Sequence, residues 1–65
     1  MPSMCESHAY VLRHGKEEKI LDDVVLLKPE KGSVLLRNLF GDEVRVKGQV
    51  QEIRFTDHRI ILREE

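Results

Sequence analysis

The sequence has very little cysteine and no long hydrophobic run. Cys5 is the only cysteine in 65 residues, so no intrachain disulfide can form and a disulfide-stabilised secreted scaffold is excluded. The residues before Ala9 include no basic stretch followed by an apolar one, as a signal peptide would have. No segment approaches the roughly 20 apolar residues that cross a bilayer. We therefore expect a cytoplasmic protein that does not span a membrane.

The sequence also lacks a charge excess and the common catalytic motifs. Eleven basic and 12 acidic residues give a formal net charge of -1, whereas proteins that bind nucleic-acid backbones are usually basic. Nucleic acid is therefore not an expected partner. The four glycines stand singly, so no phosphate-binding loop is present. The carboxylate pairs Asp22-Asp23 and Glu64-Glu65 lie in a charged segment and at the terminus, where solvent keeps both members ionised. We predict that the protein is not an enzyme.

The turn signals that are present predict an all-β fold. They recur every eight or nine residues, at His14-Gly15-Lys16, Glu30-Lys31-Gly32, Phe40-Gly41-Asp42, Lys47-Gly48 and Thr56-Asp57-His58. The segments between them have strand length: 8–13, 16–21, 24–28, 33–37, 43–47, 50–55 and 59–63. We predict one domain over 1–65, a small closed β-barrel of about six or seven short antiparallel strands. Residues 1–7 form the N-terminal segment of this domain. We expect no helix beyond, at most, a single turn near Asp22-Asp23.

The alternation of apolar residues indicates both a core and an interface. Val44 and Val46, like Ile53 and Phe55, alternate with polar residues, so each pair predicts one buried face. The segments 9–12, 24–27, 34–36 and 60–62 are instead apolar on both faces. One barrel interior cannot hold all these side chains, so we expect an exposed apolar patch and a two-fold homodimer. The alternative is that the second face packs beneath loops or at a barrel corner.

Cys5 and His8 are the candidate metal ligands. Thiolate and imidazole suit nickel, zinc and copper, and Cys-x-x-His is a plausible half-site. Two ligands do not hold a metal tightly, but a two-fold axis would double them. Residue types alone favour the simpler alternative, in which Cys5 is a small apolar residue near the barrel mouth and His8 lies on the surface.

The order of several motifs resembles the CooT family, small nickel-binding proteins associated with carbon monoxide dehydrogenase maturation. These motifs are Met4-Cys5-Glu6, Arg37-Asn38-Leu39-Phe40-Gly41-Asp42, Val46-Lys47-Gly48, Ile53-Arg54-Phe55 and Ile60-Ile61-Leu62. The likeness covers nearly the whole chain from Met4. It implies an SH3-like β-barrel, a homodimer, and one nickel(II) shared by the amino-proximal cysteine of each subunit, here Cys5.

The sequence departs from this family at its start. In the family, removal of methionine leaves the cysteine as the N-terminal residue, with a main-chain nitrogen nearby to join the thiolate in a planar site. Here Met1-Pro2-Ser3 precede Met4, so Cys5 has an ordinary amide. Either translation begins at Met4, or this member binds metal differently. With the extension, the Cys5 thiolate is still available and His8 becomes a more attractive auxiliary ligand.

These observations lead to three functional hypotheses. The first is a nickel-binding storage or delivery protein for a nickel enzyme such as carbon monoxide dehydrogenase, with one Ni(II) bound by Cys5 of each chain in a homodimer. The alternative from a different class is an RNA-binding small β-barrel, by analogy of fold. A third replaces nickel with Zn(II), held tetrahedrally by Cys5 and His8 of both chains.

Overall fold

The computed structural model describes residues 7–65, which form five strands and no helix. The strands are β1 (Ser7–Arg13), β2 (Lys16–Glu30), β3 (Ser33–Asn38), β4 (Glu43–Arg54) and β5 (Arg59–Glu64). Each strand pairs with the next, and β1 also pairs with β5, so the strands close into a barrel. The predicted all-β fold is confirmed. Within 7–65, no helix is long and apolar enough to cross a membrane.

Five strands form instead of the predicted six or seven, because two predicted pairs of strands are each one long strand. β2 joins the predicted strands 16–21 and 24–28, and β4 joins 43–47 and 50–55. The first half of β2 pairs with β1 and its second half with β3. In the same way, β4 pairs first with β3 and then with β5. Each long strand therefore contributes to two parts of the barrel wall.

Both long strands continue through residues that the sequence predicted as breaks. In β2, Asp22 and Asp23 form a bulge between the pairs Ser7↔Val24 and Ala9↔Leu21, and Asp23 has a φ of 52°. The predicted helical turn at Asp22-Asp23 is therefore wrong. In β4, the predicted turn at Lys47-Gly48 is also wrong, because both residues lie inside the strand. A bulge bends a strand without ending its pairing.

Consecutive strands are antiparallel, as predicted, and the pair that closes the barrel is the exception. β1 and β5 run parallel, from the pair His8↔Arg59 to the pair Leu12↔Arg63. When five strands follow one another with alternating direction, the first and the fifth point the same way. Closing such a barrel therefore requires one parallel pair.

The core consists of alternate side chains that point into the barrel. Its buried members are Ala9, Val11, Val24, Val34, Leu36, Val46, Ile60 and Leu62. The buried face predicted from Val44 and Val46 is confirmed, since Val44 also packs against this core. The same prediction is wrong for Ile53 and Phe55, which are 46% and 83% exposed. Phe55 follows the end of β4, beyond the reach of the barrel wall.

The outward apolar side chains do not all form the expected exposed patch. Ile61 alternates with the inward Ile60 and Leu62, yet it is only 2% exposed. Its burial agrees with the alternative that part of the second face packs within the chain. Of the outward residues in the four apolar segments, Val25 and Leu26 are exposed.

Candidate functional site

At one end of the barrel, the start of β1 lies between β2 and the turn that joins β4 to β5. Cys5 lies outside the described residues. Ser7 pairs with Val24 of β2, and Val24 in turn pairs with Asn38 of β3. On the other side, the N–H of His8 donates to the carbonyl of His58, at 2.7 Å, in the β4–β5 turn.

His8 lies against a charged pair on β2. Its Nδ1 is 2.9 Å from Oδ1 of Asp22, and that same oxygen is 3.1 Å from Nζ of Lys19. Nδ1 is buried, and although it lies close to Asp22, their contact does not have the geometry of a hydrogen bond. Lys19, with a smaller contribution from His8, holds the pKa of Asp22 below its usual range. Asp22 is therefore a stable anion beside the imidazole.

This arrangement suits a histidine that binds metal. Metal-binding histidines commonly direct one ring nitrogen to a carboxylate, which orients the ring and leaves the other nitrogen for the metal. In His8, Nδ1 faces Asp22, so Nε2 is the nitrogen available to a ligand. Sequence reasoning assigned Asp22 only to solvent. Its place beside His8 depends on the β2 bulge, which no spacing in the sequence indicates.

The loop between β3 and β4 is held by a buried amide. Asn38 is 7% exposed, and its Oδ1 accepts hydrogen bonds from the N–H groups of Phe40, at 3.0 Å, and Asp42, at 2.8 Å. Its Nδ2 donates to Oδ2 of Asp42, at 3.1 Å. The N–H of Leu39 donates to the carbonyl of Asp23, at 2.9 Å, which joins the loop to the β2 bulge. These bonds fix a loop whose Leu39 and Phe40 are 61% and 77% exposed.

Exposed apolar side chains lie on both sides of the start of β1. We call this set the apolar rim: Val25, Leu39, Phe40, Ile53 and Phe55. The first three belong to the β2 and β3 side of the barrel end, and the other two to the β4–β5 side. Exposed apolar side chains that cluster in one region are typical of interfaces. The strongest apolar exposure is therefore at the barrel end and not on the outward strand faces that the sequence indicated.

An open groove runs beside the rim. It has a volume of about 500 Å³, and its lining includes Lys19, Asp22, Asp23, Asn38 and Phe40. Across residues 7–65, no three His, Cys, Asp or Glu side chains are grouped as a metal site.

Comparisons with known proteins agree with the fold and extend it. No curated protein matches the chain. A crystal structure assigned to a CooT from Carboxydothermus hydrogenoformans matches with a TM-score of 0.84 and 36% sequence identity, covering 94% of this chain and 98% of that one. The family model described as CO dehydrogenase accessory protein CooT matches residues 4–63. The match includes Cys5, His8 and all five strands except the last residue of β5, and the chain therefore belongs to the CooT family of CO dehydrogenase accessory proteins.

Proposed function

We propose that the protein is a nickel-binding accessory protein of CO dehydrogenase, which stores or delivers the metal. It binds one Ni(II) at the interface of a homodimer, through Cys5 of each chain, and turns over no substrate. The observation on which this proposal depends is the family match over residues 4–63, which includes Cys5. The role belongs in the cytoplasm, where the thiol stays reduced.

The donor chemistry supports nickel as the cargo. Two copies of Cys5 supply two thiolates, and two copies of His8 can add two imidazoles. Nickel(II) accepts square-planar nitrogen and sulfur ligands, whereas Zn(II) would use the same donors tetrahedrally. Because His8 already contacts Asp22 through Nδ1, its ring is oriented without help from the metal. A site shared between subunits also suits delivery, since either chain can release its ligands.

The position of the apolar rim supports a dimer at this end of the barrel. His8 lies between the two halves of the rim, through its contacts with Asp22 and His58. If two barrels pack end to end around a two-fold axis, the rim is buried and the segments that contain Cys5 meet. Interface burial and metal binding would then occur at the same surface.

The first test is a nickel titration of the reduced protein. We expect thiolate-to-nickel charge-transfer absorption that saturates at one metal per two chains, and we expect Cys5→Ser to abolish it. Since metal capture displaces the thiol proton, the affinity should rise with pH. A spectrum that Cys5→Ser leaves unchanged would remove the proposal. Displacement of the nickel colour by a single equivalent of zinc would favour the zinc alternative.

A second titration tests the auxiliary ligand. His8→Ala should lower nickel affinity about 10-fold while the charge-transfer band remains, because the thiolates still bind. His58→Ala is the matched control, since His58 is an exposed histidine in the adjacent turn and is not a proposed ligand. Equal affinities for the two variants would show that His8 is not a ligand.

A further inference from the structure

The nearly neutral chain has an uneven distribution of charge. Residues 28–47 contain five basic and three acidic residues, a formal charge of +2. The rest of the chain contains six basic and nine acidic residues, a formal charge of -3. The positive segment corresponds to the end of β2, all of β3 and the first part of β4. These strands are neighbours in the barrel, so the positive charge is concentrated on one side of the molecule.

Strand alternation directs most of this charge outward, around two apolar side chains. Val34, Leu36 and Val46 are buried in the core, so the residues between them point to solvent. Leu35 pairs with Lys28 on one side and with Arg45 on the other. Leu26 pairs with Arg37. We call this surface the basic face: Leu26, Lys28, Leu35, Arg37, Arg45 and Lys47.

Half of the positive charge on the basic face is balanced by neighbouring carboxylates. Arg37 pairs with Glu43, and Nε of Arg45 is 2.9 Å from Oε1 of Glu30. Within residues 7–65, Lys28 and Lys47 form no ion pair. The face therefore presents Leu35 at its centre, Leu26 beside Arg37, and the two ammonium groups on the flanking strands β2 and β4.

We propose that the basic face is the docking surface for an acidic, partly apolar protein surface on the CO dehydrogenase that the accessory protein serves. An apolar centre with a charged border is the usual anatomy of a protein interface. Single-stranded RNA would instead require aromatic side chains for base stacking. The basic face has none, because the exposed Phe40 and Phe55 belong to the apolar rim. The two surfaces differ, so docking is compatible with the dimer.

This inference rests on the proposed accessory role but not on the metal ligands. Complementary charges mainly accelerate association, and salt screens them. We therefore expect nickel-free CO dehydrogenase to bind the full-length protein more weakly as salt rises from about 20 to about 200 mM. We also expect Cys5→Ser to bind the enzyme as well as the unchanged protein does. If the unchanged protein docks but binds no nickel, the proposed metal site is refuted and the docking surface is not.

The decisive measurement compares charge reversals by biolayer interferometry on immobilised nickel-free CO dehydrogenase. Lys28→Glu and Lys47→Glu should each weaken binding about fivefold, and the double variant about 20-fold. Lys16→Glu is the control, because it makes the same charge change in the β1–β2 turn region and Lys16 also has no ion-pair partner among the described residues. It should stay within about twofold of the unchanged protein. Circular dichroism should show all variants folded.

Four outcomes would overturn the proposal. One is the absence of binding to the enzyme at low salt. Another is an equal loss of binding affinity in Lys16→Glu, which would show that the effect depends only on net charge. In a third outcome, the protein binds a single-stranded oligouridine but not the enzyme, and the double variant loses the oligouridine binding. This outcome would assign the face to RNA. The fourth is a change of oligomeric state in the double variant by light scattering, which would assign the face to a second copy of the chain.

Discussion

Gly48 determines how closely β4 can approach β5. It has a φ of 148°, and a Cβ atom added to it would overlap the carbonyl oxygen of Arg63. That oxygen belongs to backbone, so relieving the overlap requires the strands to separate. We predict that Gly48→Ala lowers the free energy of unfolding by about 3 kcal/mol.

Gly15→Ala is the matched control for this prediction. Gly15 also has a positive φ, 79°, but a Cβ atom added there would have no neighbour within 4 Å. Only the left-handed backbone conformation is then unfavourable, at a cost of about 1 kcal/mol. Urea unfolding followed by circular dichroism measures both variants. Equal losses of stability in the two variants would mean that the strands relieve the overlap at Gly48 without an energetic cost.

Asn38 is the residue that organises the β3–β4 loop. Asn38→Ala would leave the N–H groups of Phe40 and Asp42 without their acceptor, so we predict a loss of about 2 kcal/mol in the free energy of unfolding. Asn38→Asp retains an acceptor but replaces the donor to Asp42 with a like charge, so it should also destabilise the loop. Hydrogen exchange should rise at Phe40 and Asp42 in the Ala variant. Unchanged exchange there would contradict the assigned role.

At the scale of elements, Arg13 links the end of β1 to two other strands. Its Nε and Nη2 donate to the two carboxylate oxygens of Glu64 on β5, both at 2.9 Å, and its Nη1 donates to Glu18 on β2 at 3.1 Å. The hydrogen bond from Arg13 holds the pKa of Glu64 below its usual value of 4.5. The interaction therefore stabilises the fold above pH 4.5, and this stabilisation disappears as pH falls through the lowered pKa.

This linkage predicts how an Arg13 variant responds to pH. Arg13→Gln should lower the urea midpoint at neutral pH by a small amount, because both partners are exposed. The difference from the unchanged protein should shrink as the pH falls below 4.5. Arg63→Gln is the control, since no ion pair of Arg63 occurs among the described strands. A difference that stays constant with pH would exclude the ionic contribution of Glu64.

At the scale of the whole molecule, the proposed dimer predicts which exposed side chains matter for assembly. Phe40→Ser and Phe55→Ser remove the two most exposed large side chains of the apolar rim. If two barrel ends pack together, each change should raise the dimer dissociation constant at least about 10-fold, because aromatic residues often dominate interfaces. Sedimentation velocity measures this directly.

Leu26→Ser is the control for assembly. Leu26 is exposed like the rim residues, but it lies on the basic face, opposite Arg37. It should leave the dimer intact. A dimer that dissociates with Leu26→Ser and persists with both phenylalanine variants would place the interface on the strand faces that the sequence first indicated.

The β class, most turns and much of the core follow from local patterns of residues. Alternation identifies Val44 and Val46, and glycine or Asp-containing turns separate the strands, because both signals depend on neighbouring residues. The motifs around Cys5 and Asn38 also indicated the family that the comparisons confirm. These properties are local, so they can be read without knowing which strands pair.

Contacts between distant parts of the chain instead set how the predicted strands 16–21 and 24–28 merge, which strands pair in parallel, and what lies beside His8. The Asp22 carboxylate reaches His8 because a bulge places two residues of β2 opposite one residue of β1. The exposure of Phe55 and the burial of Ile61 depend in the same way on where the barrel wall ends. Strand pairing is set by the closure of the whole barrel, and closure joins residues that are far apart in sequence.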